Sequence, residues 1–515
     1  MRPDEITQTD RNSLTANLQA SQLRVDRDQW CSAAQELRRT GAELLTLWGA
    51  DDRDRNNCFH VYAAYLSADG AVVVKHPVDP ASLTYPDIGN LFPAAQRMQR
   101  ATYDLLGIAA DATDRRGWLR HDGWADTVFP LRRDAEEQQP ASLTSAPYAF
   151  VSVLGDGVHE IPVGPVHAGT IEPGHFRFSI VGEKVLRLEE RLGYTHKGVA
   201  KRFEQLTQIE GHRLAARVSG DSAVAFSWAY CAALESLTGV PCPDRAVALR
   251  AVALELERVA NHLGDLGALG NDAGFAFGLV QFSRLKEDLL RRNHVAFGAR
   301  YLVDYVIPGG VEADITSSAQ NILLQQCADL EKEVRALRTI YEEHPGVQDR
   351  FRGTGCLEHA TALELGAIGL AGRASGITRD LRVDHPWDPY SQLKPRLAVQ
   401  SSGDVAARVL VRFDEILESL RLCDILLRDL PSGPIYTVVP VAEENRLGMG
   451  VIESWRGPVV IALETGADGS IRRCHAHDPS WQNWPLLEYA IIGNIVPDFP
   501  LINKSFNLSY SGQDG

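Results

Sequence analysis

From Asp244 to about Leu430 the chain reads mostly as helices, and one of them limits the fold more than any other stretch. Val252, Leu256, Val259, Leu263 and Leu266 step by four and three, making one apolar face on a helix that Asp244 can cap. At about 100° per residue, Glu255, Arg258, His262 and Asp265 form a second stripe beside that face, while Glu257 and Asn261 fall on the opposite side. A titratable row flanking a buried seam suits either proton movement or a salt network between helices. A helix of this kind belongs to a mainly helical core.

Upstream stands Arg217-Val218-Ser219-Gly220-Asp221-Ser222. Two side chains three apart on a turn entering a helix can converge on one metal ion, and thiolates suit nickel and iron. Both positions here, Ser219 and Ser222, carry a neutral hydroxyl, a poor ligand for a soft metal. Read alone, the stretch is a Ser/Asp cap before the small-residue run Ala223–Ala233. The eight cysteines, at 31, 58, 231, 242, 327, 356, 423 and 474, never form Cys-x-x-Cys. The chain therefore has no local iron–sulfur or zinc signature, and its thiols read as lone ones in a reducing cytoplasm.

A chain of 515 residues predicts about two to four domains. With 44% apolar and 23% charged residues it has the balance of a soluble globular protein. Its formal charge of −15 opposes nonspecific attraction to nucleic acid or anionic lipid. No apolar run reaches the roughly 18 residues of a membrane span, and Met1-Arg2-Pro3-Asp4-Glu5 has no signal core. Gly-x-Gly-x-x-Gly after a strand, Gly-x-x-x-x-Gly-Lys-Ser/Thr and Gly-x-Ser-x-Gly are all missing, so nucleotide binding and serine hydrolysis have no sequence basis.

The expected fold class is α+β: a small α+β N-terminal domain, then a mainly helical domain with peripheral β-strands. The boundaries are a tail at 1–25, a domain at 26–134, a polar Pro-bounded linker at 135–150 and the large domain at 151–515. Leu23 to Leu45 has helical spacing; Cys58–Leu66 and Ala71–Val78 read as strands around a hairpin turn at Ser67-Ala68-Asp69-Gly70; Phe92–Gly107 reads as helix. Ala101–Leu119 reads as a surface loop held by a Trp anchor. Val158–Thr170 and Gly174–Val181 predict a strand pair whose loop holds His167 and His175, imidazoles able to titrate near neutral pH and so proton-donor candidates. Arg379-Asp380-Leu381-Arg382-Val383-Asp384-His385-Pro386 reads as a solvated loop or as the lining of a polar pocket. A helix from Asp404 to Asp429 stops at Leu430-Pro431, and strands are expected at Tyr436–Val441, Pro458–Leu463 and Ile471–His475.

Several of these stretches share one source. Glu189–Gly198, Arg217–Ser222, Glu255–Leu263, Arg352–Gly355, Arg379–Pro386 and Glu453-Ser454-Trp455-Arg456-Gly457 together resemble the large subunit of energy-converting [NiFe] hydrogenases of the formate hydrogenlyase type, and its 49-kDa relative in complex I. Ala101–Leu119 and Trp124–Arg133 resemble the 30-kDa subunit of complex I, fused at the N-terminus. The resemblance implies a hydrogenase large-subunit fold and a nickel–iron site held by Arg-x-Cys-Gly-x-Cys and a C-terminal Cys-x-x-Cys. Those four ligand positions fall on Ser219, Ser222, Ser509 and Gly512, all vacant of thiol. It also implies that the His167/His175 loop points toward a site that is metallic in hydrogenases and quinone-binding in complex I. By the same resemblance Arg456 overlies that site and Asp380, Asp384 and His385 border it. The quinone-contacting tyrosine of complex I falls near Gly220, which puts quinone chemistry of that kind in doubt.

The expectation is a subunit of a membrane-associated oxidoreductase, peripheral on the inner face of the cytoplasmic membrane, that couples electron transfer to proton or ion movement. It would hold no metal of its own, with quinone as a candidate acceptor and an iron–sulfur cluster in a partner subunit. Membrane ion-translocating subunits would be further partners, and nucleic acid would not. A non-catalytic scaffold is the alternative; a working hydrogenase is opposed by the four absent thiolates.

Overall fold

The computed structural model describes residues 9–10, 18–111, 114–121, 123–125, 127–135, 148–167 and 171–515. Most of the expected linker, 136–147, lies outside the described residues, as do 168–170 at the end of the first strand expected beside the histidine loop.

The N-terminal part is one five-stranded sheet with two helices against it. Its strands are β1 (Thr9–Asp10), β2 (Ala20–Arg24), β3 (Glu43–Asp52), β4 (Cys58–Ser67) and β5 (Gly70–Val78), in the order β1-β2-β5-β4-β3. Only β2 and β5 run parallel. The hairpin between β4 and β5 turns where expected, with Ser67 opposite Gly70. Helix α1 (Arg27–Arg39) starts in a capping box between Asp26 and Gln29. It ends sooner than the spacing suggested: Leu44 and Leu45 belong to β3. That strand is buried on both faces, so its continuous apolar run has no alternation to separate it from a helix. Helix α2 (Ala95–Leu106) covers the face of Leu47 and Gly49, and Thr46 and Trp48 on the other face meet the C-terminal sheet.

The stretch expected to be a surface loop is locked down. Asp104 accepts from the backbone N–H of Trp118 at 2.6 Å and of Leu119 at 2.8 Å, and the guanidiniums of Arg97 and Arg100 lie 4.6 and 5.0 Å from the buried Trp118 ring. The Trp anchor is present and buried with Leu119, while Asp114 and Arg115 just before it are exposed, as a surface loop should be.

A three-stranded antiparallel sheet follows, with β6 (Val158–Val163), β7 (His175–Val181) and β8 (Lys184–Arg191) in the order β8-β7-β6. The third strand was not anticipated, and it carries Glu189 and Glu190. Both are buried against arginines of the N-terminal part, Glu189 against Arg116 at 2.9 Å and Glu190 against Arg97 at 3.4 Å.

The helical core holds α3 (Ala223–Thr238), α4 (Asp244–Asp272), α5 (Ala276–Phe297), α6 (Ser317–Glu343), the short α7 (Leu381–Asp384) and α8 (Val405–Arg428). Pro243, not Asp244, is the residue at the α4 cap, with Asp244 in the first turn. α4 is buried on nearly every side, packing on both α5 and α8. Asp404 caps α8 by accepting from Ala407 N–H at 2.8 Å.

The last sheet is β9 (Leu447–Glu453), β10 (Pro458–Thr465) and β11 (Ile471–His477), antiparallel and in chain order. Tyr436–Val441 is not a strand. It pairs only locally, through a bridge from Tyr436 to Gly310 and the Thr437 N–H donating to Gly309 O at 2.9 Å, and Val438 and Val441 stay exposed. The missed strand, β9, holds Gly448 and Gly450, which let α3 press onto it: a Cβ on Gly450 would lie 1.9 Å from Ala229 O. Helices α9 (Ser480–Ala490), α10 (Phe499–Phe506) and α11 (Tyr510–Asp514) close the chain. Among the described residues no helix is long and apolar enough to cross a membrane.

Candidate functional site

The turn before α3 and the turn before α11 meet. Ser219 Oγ lies 2.8 Å from Ser509 Oγ and 2.8 Å from Asp221 Oδ1. A carboxylate only accepts, so the Ser219 hydroxyl donates to Asp221 and the Ser509 hydroxyl must donate to Ser219. Ser509 in turn accepts from Gly512 N–H at 2.9 Å as the cap of α11. The hydrogen bonds therefore run one way, from Gly512 N–H through two hydroxyls to Asp221. Gly512 has no room for a side chain: a Cβ there would stand 2.6 Å from Asp478 Oδ2. Ser222 is buried with an unpartnered hydroxyl and does not cap α3. Glu257 does that instead, accepting from Val224 N–H at 2.7 Å and Ala225 N–H at 3.3 Å.

Arg456 closes the cluster from the turn between β9 and β10. It grips Asp221 with both terminal nitrogens, at 2.7 and 2.5 Å, donates from Nε to Asn507 O at 2.6 Å, and lies 3.9 Å from the Trp455 ring centre. Burial alone would raise the Asp221 pKa, but Arg456 outweighs it and holds that carboxyl below the usual range. Asp478, also beside Arg456, is pushed up by burial, and its Oδ2 has no hydrogen-bond partner. Asp221 keeps 38% of its side-chain surface, at a crevice lined by Gly220, Glu257, Asn261, Arg300 and Tyr301.

Glu257 and Asn261 face this turn, not a free side of α4. Asn261 Nδ2 donates to Asp221 O at 2.7 Å, and burial pushes the Glu257 carboxyl up to about 8. The stripe beside the seam is equally interior. Glu255 accepts from Arg382 at 3.1 Å, Tyr390 Oη at 2.7 Å and Ser419 Oγ at 2.6 Å; Arg258 lies 3.4 Å from Glu255 and from Glu415. His262 Nε2 is 2.8 Å from Glu415, and Asp265 accepts from Arg412 at 2.9 Å. Arg373 bonds Glu415 and Glu453, each at 2.9 Å. Burial works against ionising Glu415, yet Arg373 and the His262 bond hold its pKa well below the ordinary value. Burial and nearby Asp380 push Glu453 up to about 7. Arg258 ties this lattice to the Arg456 turn by donating to the carbonyls of Ser454 and Glu453, at 3.1 and 2.9 Å.

The 379–386 cluster divides. Asp380 and Arg382 are buried in the lattice, 2.7 Å apart, whereas Asp384 is exposed and His385 half-buried. The two histidines of the β6–β7 loop bond within that loop, His167 Nε2 to Gly174 O at 2.8 Å and His175 Nδ1 to Gly164 O at 3.3 Å. The loop borders α11, where Glu172 accepts from Ser511 N–H at 3.2 Å. Among the described residues no hydrogen bond joins either histidine to the Ser219–Arg456 cluster. Burial leaves His175 Nε2 unpartnered and lowers its pKa. Sequence reasoning missed Glu257, Glu415 and Arg412. The signal for the last two was a polar stripe on α8, Arg408, Arg412, Glu415 and Ser419, stepping by four and three.

Among the described residues no three His, Cys, Asp or Glu side chains converge as metal ligands. The hydroxyls of Ser219 and Ser509 are spent on each other and on Asp221, and Gly512 offers no donor atom. The cluster does not fit a soft transition metal.

Two family models match the chain: the 30 Kd subunit of respiratory-chain NADH dehydrogenase over residues 23–141 and its 49 Kd subunit over residues 272–447. Formate hydrogenlyase subunit 5 of Escherichia coli (strain K12) is 33% identical over 487 residues, covering 92% of this chain and 85% of its own length. Hydrogenase-4 component G of the same organism is 32% identical over 480 residues, covering 92% and 83%. Among solved structures, a chain in the membrane-bound sulfane sulfur reductase, an archaeal respiratory membrane complex, shares the fold with a TM-score of 0.66 at 24% identity; the match covers 71% of this chain and 100% of that one.

Proposed function

Since the chain belongs to the family of formate hydrogenlyase subunit 5, with its fused parts like the 30- and 49-kDa subunits of complex I, and so is a subunit of a membrane-bound complex of that kind, we propose that it couples electron transfer to proton or ion movement without a nickel–iron centre of its own. What supports this reading is the one-way run of hydrogen bonds from Gly512 through Ser509 and Ser219 to Asp221, which takes up three of the four positions where the resemblance expects thiolates, the fourth being the buried Ser222. Electrons reach the site from an iron–sulfur cluster in a partner subunit, and membrane subunits move the ion, with this chain peripheral on the inner face of the cytoplasmic membrane.

The acceptor in this reading is a quinone, whose carbonyl oxygens need hydrogen-bond donors; Arg300 and Tyr301 line the crevice beside Asp221, which at about 20 Å³ holds a water and not a quinone ring, so a quinone would have to bind outside it. This chain's own part is to hold and pass protons. Glu257, protonated at neutral pH, stands at that crevice with Asp221, and His175 is the donor on the histidine loop; the paired stripe Glu255, Arg258, His262 and Asp265 is the salt network that holds these groups in place. A scaffold is the second reading, favoured by the closure of Arg456 on Asp221 and by the burial of Ser219, Ser222 and Ser509.

The test is purification of the native complex, followed by nickel analysis, hydrogen uptake and quinone-dependent oxidation of the partner's cluster. Quinone-dependent oxidation without stoichiometric nickel is expected; stoichiometric nickel with hydrogen uptake overturns the proposal. Unchanged turnover in Glu257→Gln and Arg456→Lys variants of an intact complex would favour the scaffold.

A further inference from the structure

A second constellation lies far from that cluster, on the N-terminal sheet. The register of β3 and β4 sets Asp52 opposite Cys58 and Ala50 opposite His60, and strand alternation puts Cys58 and His60 on one face. There His60 Nδ1 lies 2.7 Å from Asp52 Oδ2, and His60 Nε2 lies 3.7 Å from Cys58 Sγ. Burial disfavours the Asp52 carboxylate, but the bonds from His60 and Arg55 more than offset it and keep Asp52 ionised. An ionised carboxylate only accepts, so the imidazole proton sits on Nδ1 and the Nε2 lone pair faces the thiol. That is the order nucleophile, base, orienting carboxylate.

The surroundings add a charge preference. Lys75, on β5, stands 5.1 Å from the Tyr62 ring centre and has no ion-pair partner among the described residues; burial lowers its pKa to about 8. Arg55 bonds Asp52 from the other side, its Nε 2.9 Å from Oδ1. Cys58 is half-buried and follows the exposed Asn56 and Asn57. Burial and Asp52 push its pKa up, so the resting group is a thiol that needs a base to react. Asp52 also accepts from Arg472 on β11 at 3.2 Å, which is a structural joint; that joint makes no use of His60 Nε2 or of Cys58.

We propose that Cys58 is a base-assisted thiol that exchanges with small disulfides bearing carboxylates, with His60 as its general base and Asp52 as a positioning residue. The Sγ proton passes to His60 Nε2 and the thiolate sulfur attacks one sulfur of the disulfide. A new S–S bond forms as the old one breaks, and the leaving thiolate takes the proton from His60. Cys58 is oxidised to a mixed disulfide and the leaving half is reduced to a free thiol, so atoms and electrons balance.

The test uses the full-length protein with 5,5′-dithiobis(2-nitrobenzoate) and with glutathione disulfide, mapping each modified cysteine against time by mass spectrometry. Cys356, exposed and bonded to no histidine, is the internal reference. Cys58 is expected to react about tenfold faster than Cys356 at neutral pH, general-base assistance of about a hundredfold offset in part by the poorer access of the half-buried Cys58. His60→Gln should cancel that advantage and leave Cys356 unchanged. Lys75→Gln should slow the anionic reagents more than uncharged bis(2-hydroxyethyl) disulfide. A wild-type Cys58 slower than Cys356, or a Cys58 rate indifferent to His60→Gln, overturns the proposal. Should that variant not fold, wild-type profiles taken as pH is lowered from 9 to 6 decide: Cys58 holding its rate while Cys356 falls supports it, and parallel curves overturn it.

Discussion

The α4–α8 lattice and the Ser219–Arg456 cluster are both buried, polar and built on arginine–carboxylate pairs, yet they are organised in opposite ways. In the lattice Glu255, Glu415 and Asp380 are each met by guanidiniums and held as ions. In the cluster a single arginine serves Asp221, with Asp478 close by, one buried hydroxyl and one carboxylate oxygen lack partners, and a crevice reaches Asp221. Saturated charge pairs fix a structure; neutral and half-satisfied groups leave a proton somewhere to go. The lattice has its own exceptions, His262 with Nδ1 unpartnered and Glu453 raised to about 7; its arginine-paired carboxylates are nonetheless assigned to architecture and the cluster to chemistry, and the difference can be broken by substitution.

The largest effect belongs to the lattice. Arg373→Met leaves Glu415 and Glu453 without their shared cation, and stranding buried carboxylates this way costs about 3–5 kcal/mol. Chemical denaturation should show the loss directly. A change under about 1 kcal/mol would mean that water or protonation compensates, which removes the contrast with the cluster.

Next comes Glu257, between the two regions. Its folded pKa of about 8 lies above the ordinary carboxylate value, so the folded chain keeps a proton that the unfolded chain gives up. Its contribution to stability is whole at acid pH and is lost as pH rises toward 8, by about 2 kcal/mol between pH 6 and 8. Glu257→Gln mimics the protonated form, so its urea-unfolding stability should lack that component and exceed wild type's by a widening margin as pH rises. Parallel pH curves for the two proteins would show that Glu257 is already ionised.

How much of this was legible in sequence depends on what each residue's neighbours were. The α4 stripe was readable because helical periodicity is local, and the hairpin between β4 and β5 because its turn residues are adjacent. The burial of Glu189 and Glu190 on β8 was not legible because the arginines that bury them lie 73 and 93 residues away in the chain, spacings that no local pattern reveals. Glu257 seemed to point away from the seam, and it does; what sequence could not supply is that the Ser219 turn occupies that side. The turn itself was identified by resemblance, and its meeting with Ser509 needed the fold.

A smaller effect probes the hydroxyl run. Ser219→Ala removes the bond to the ionised Asp221 and the one from Ser509, and Ser509→Ala removes the latter and the bond from Gly512 N–H, so each should cost about 1–2 kcal/mol singly. If the bonds form one directed chain, the double variant should cost less than the sum of the singles, with a coupling of about 0.5–1 kcal/mol in a double-mutant cycle. Strict additivity would mean that the two hydroxyls do not share a proton.

The smallest effect, and the one that separates the regions most cleanly, is at Ser222. Its hydroxyl is buried with no partner, so folding strips its water and returns nothing. Ser222→Ala should therefore be neutral or stabilising by up to about 1 kcal/mol, where deletion of a polar group from the lattice is always costly. Structure alone would not keep a serine there, so a variant that folds better but turns over more slowly would show that the hydroxyl serves the reaction. Equal turnover with higher stability would instead mark Ser222 as a remnant of the ligand position, and would shift the chemistry of the cluster onto Asp221, Arg456 and Glu257.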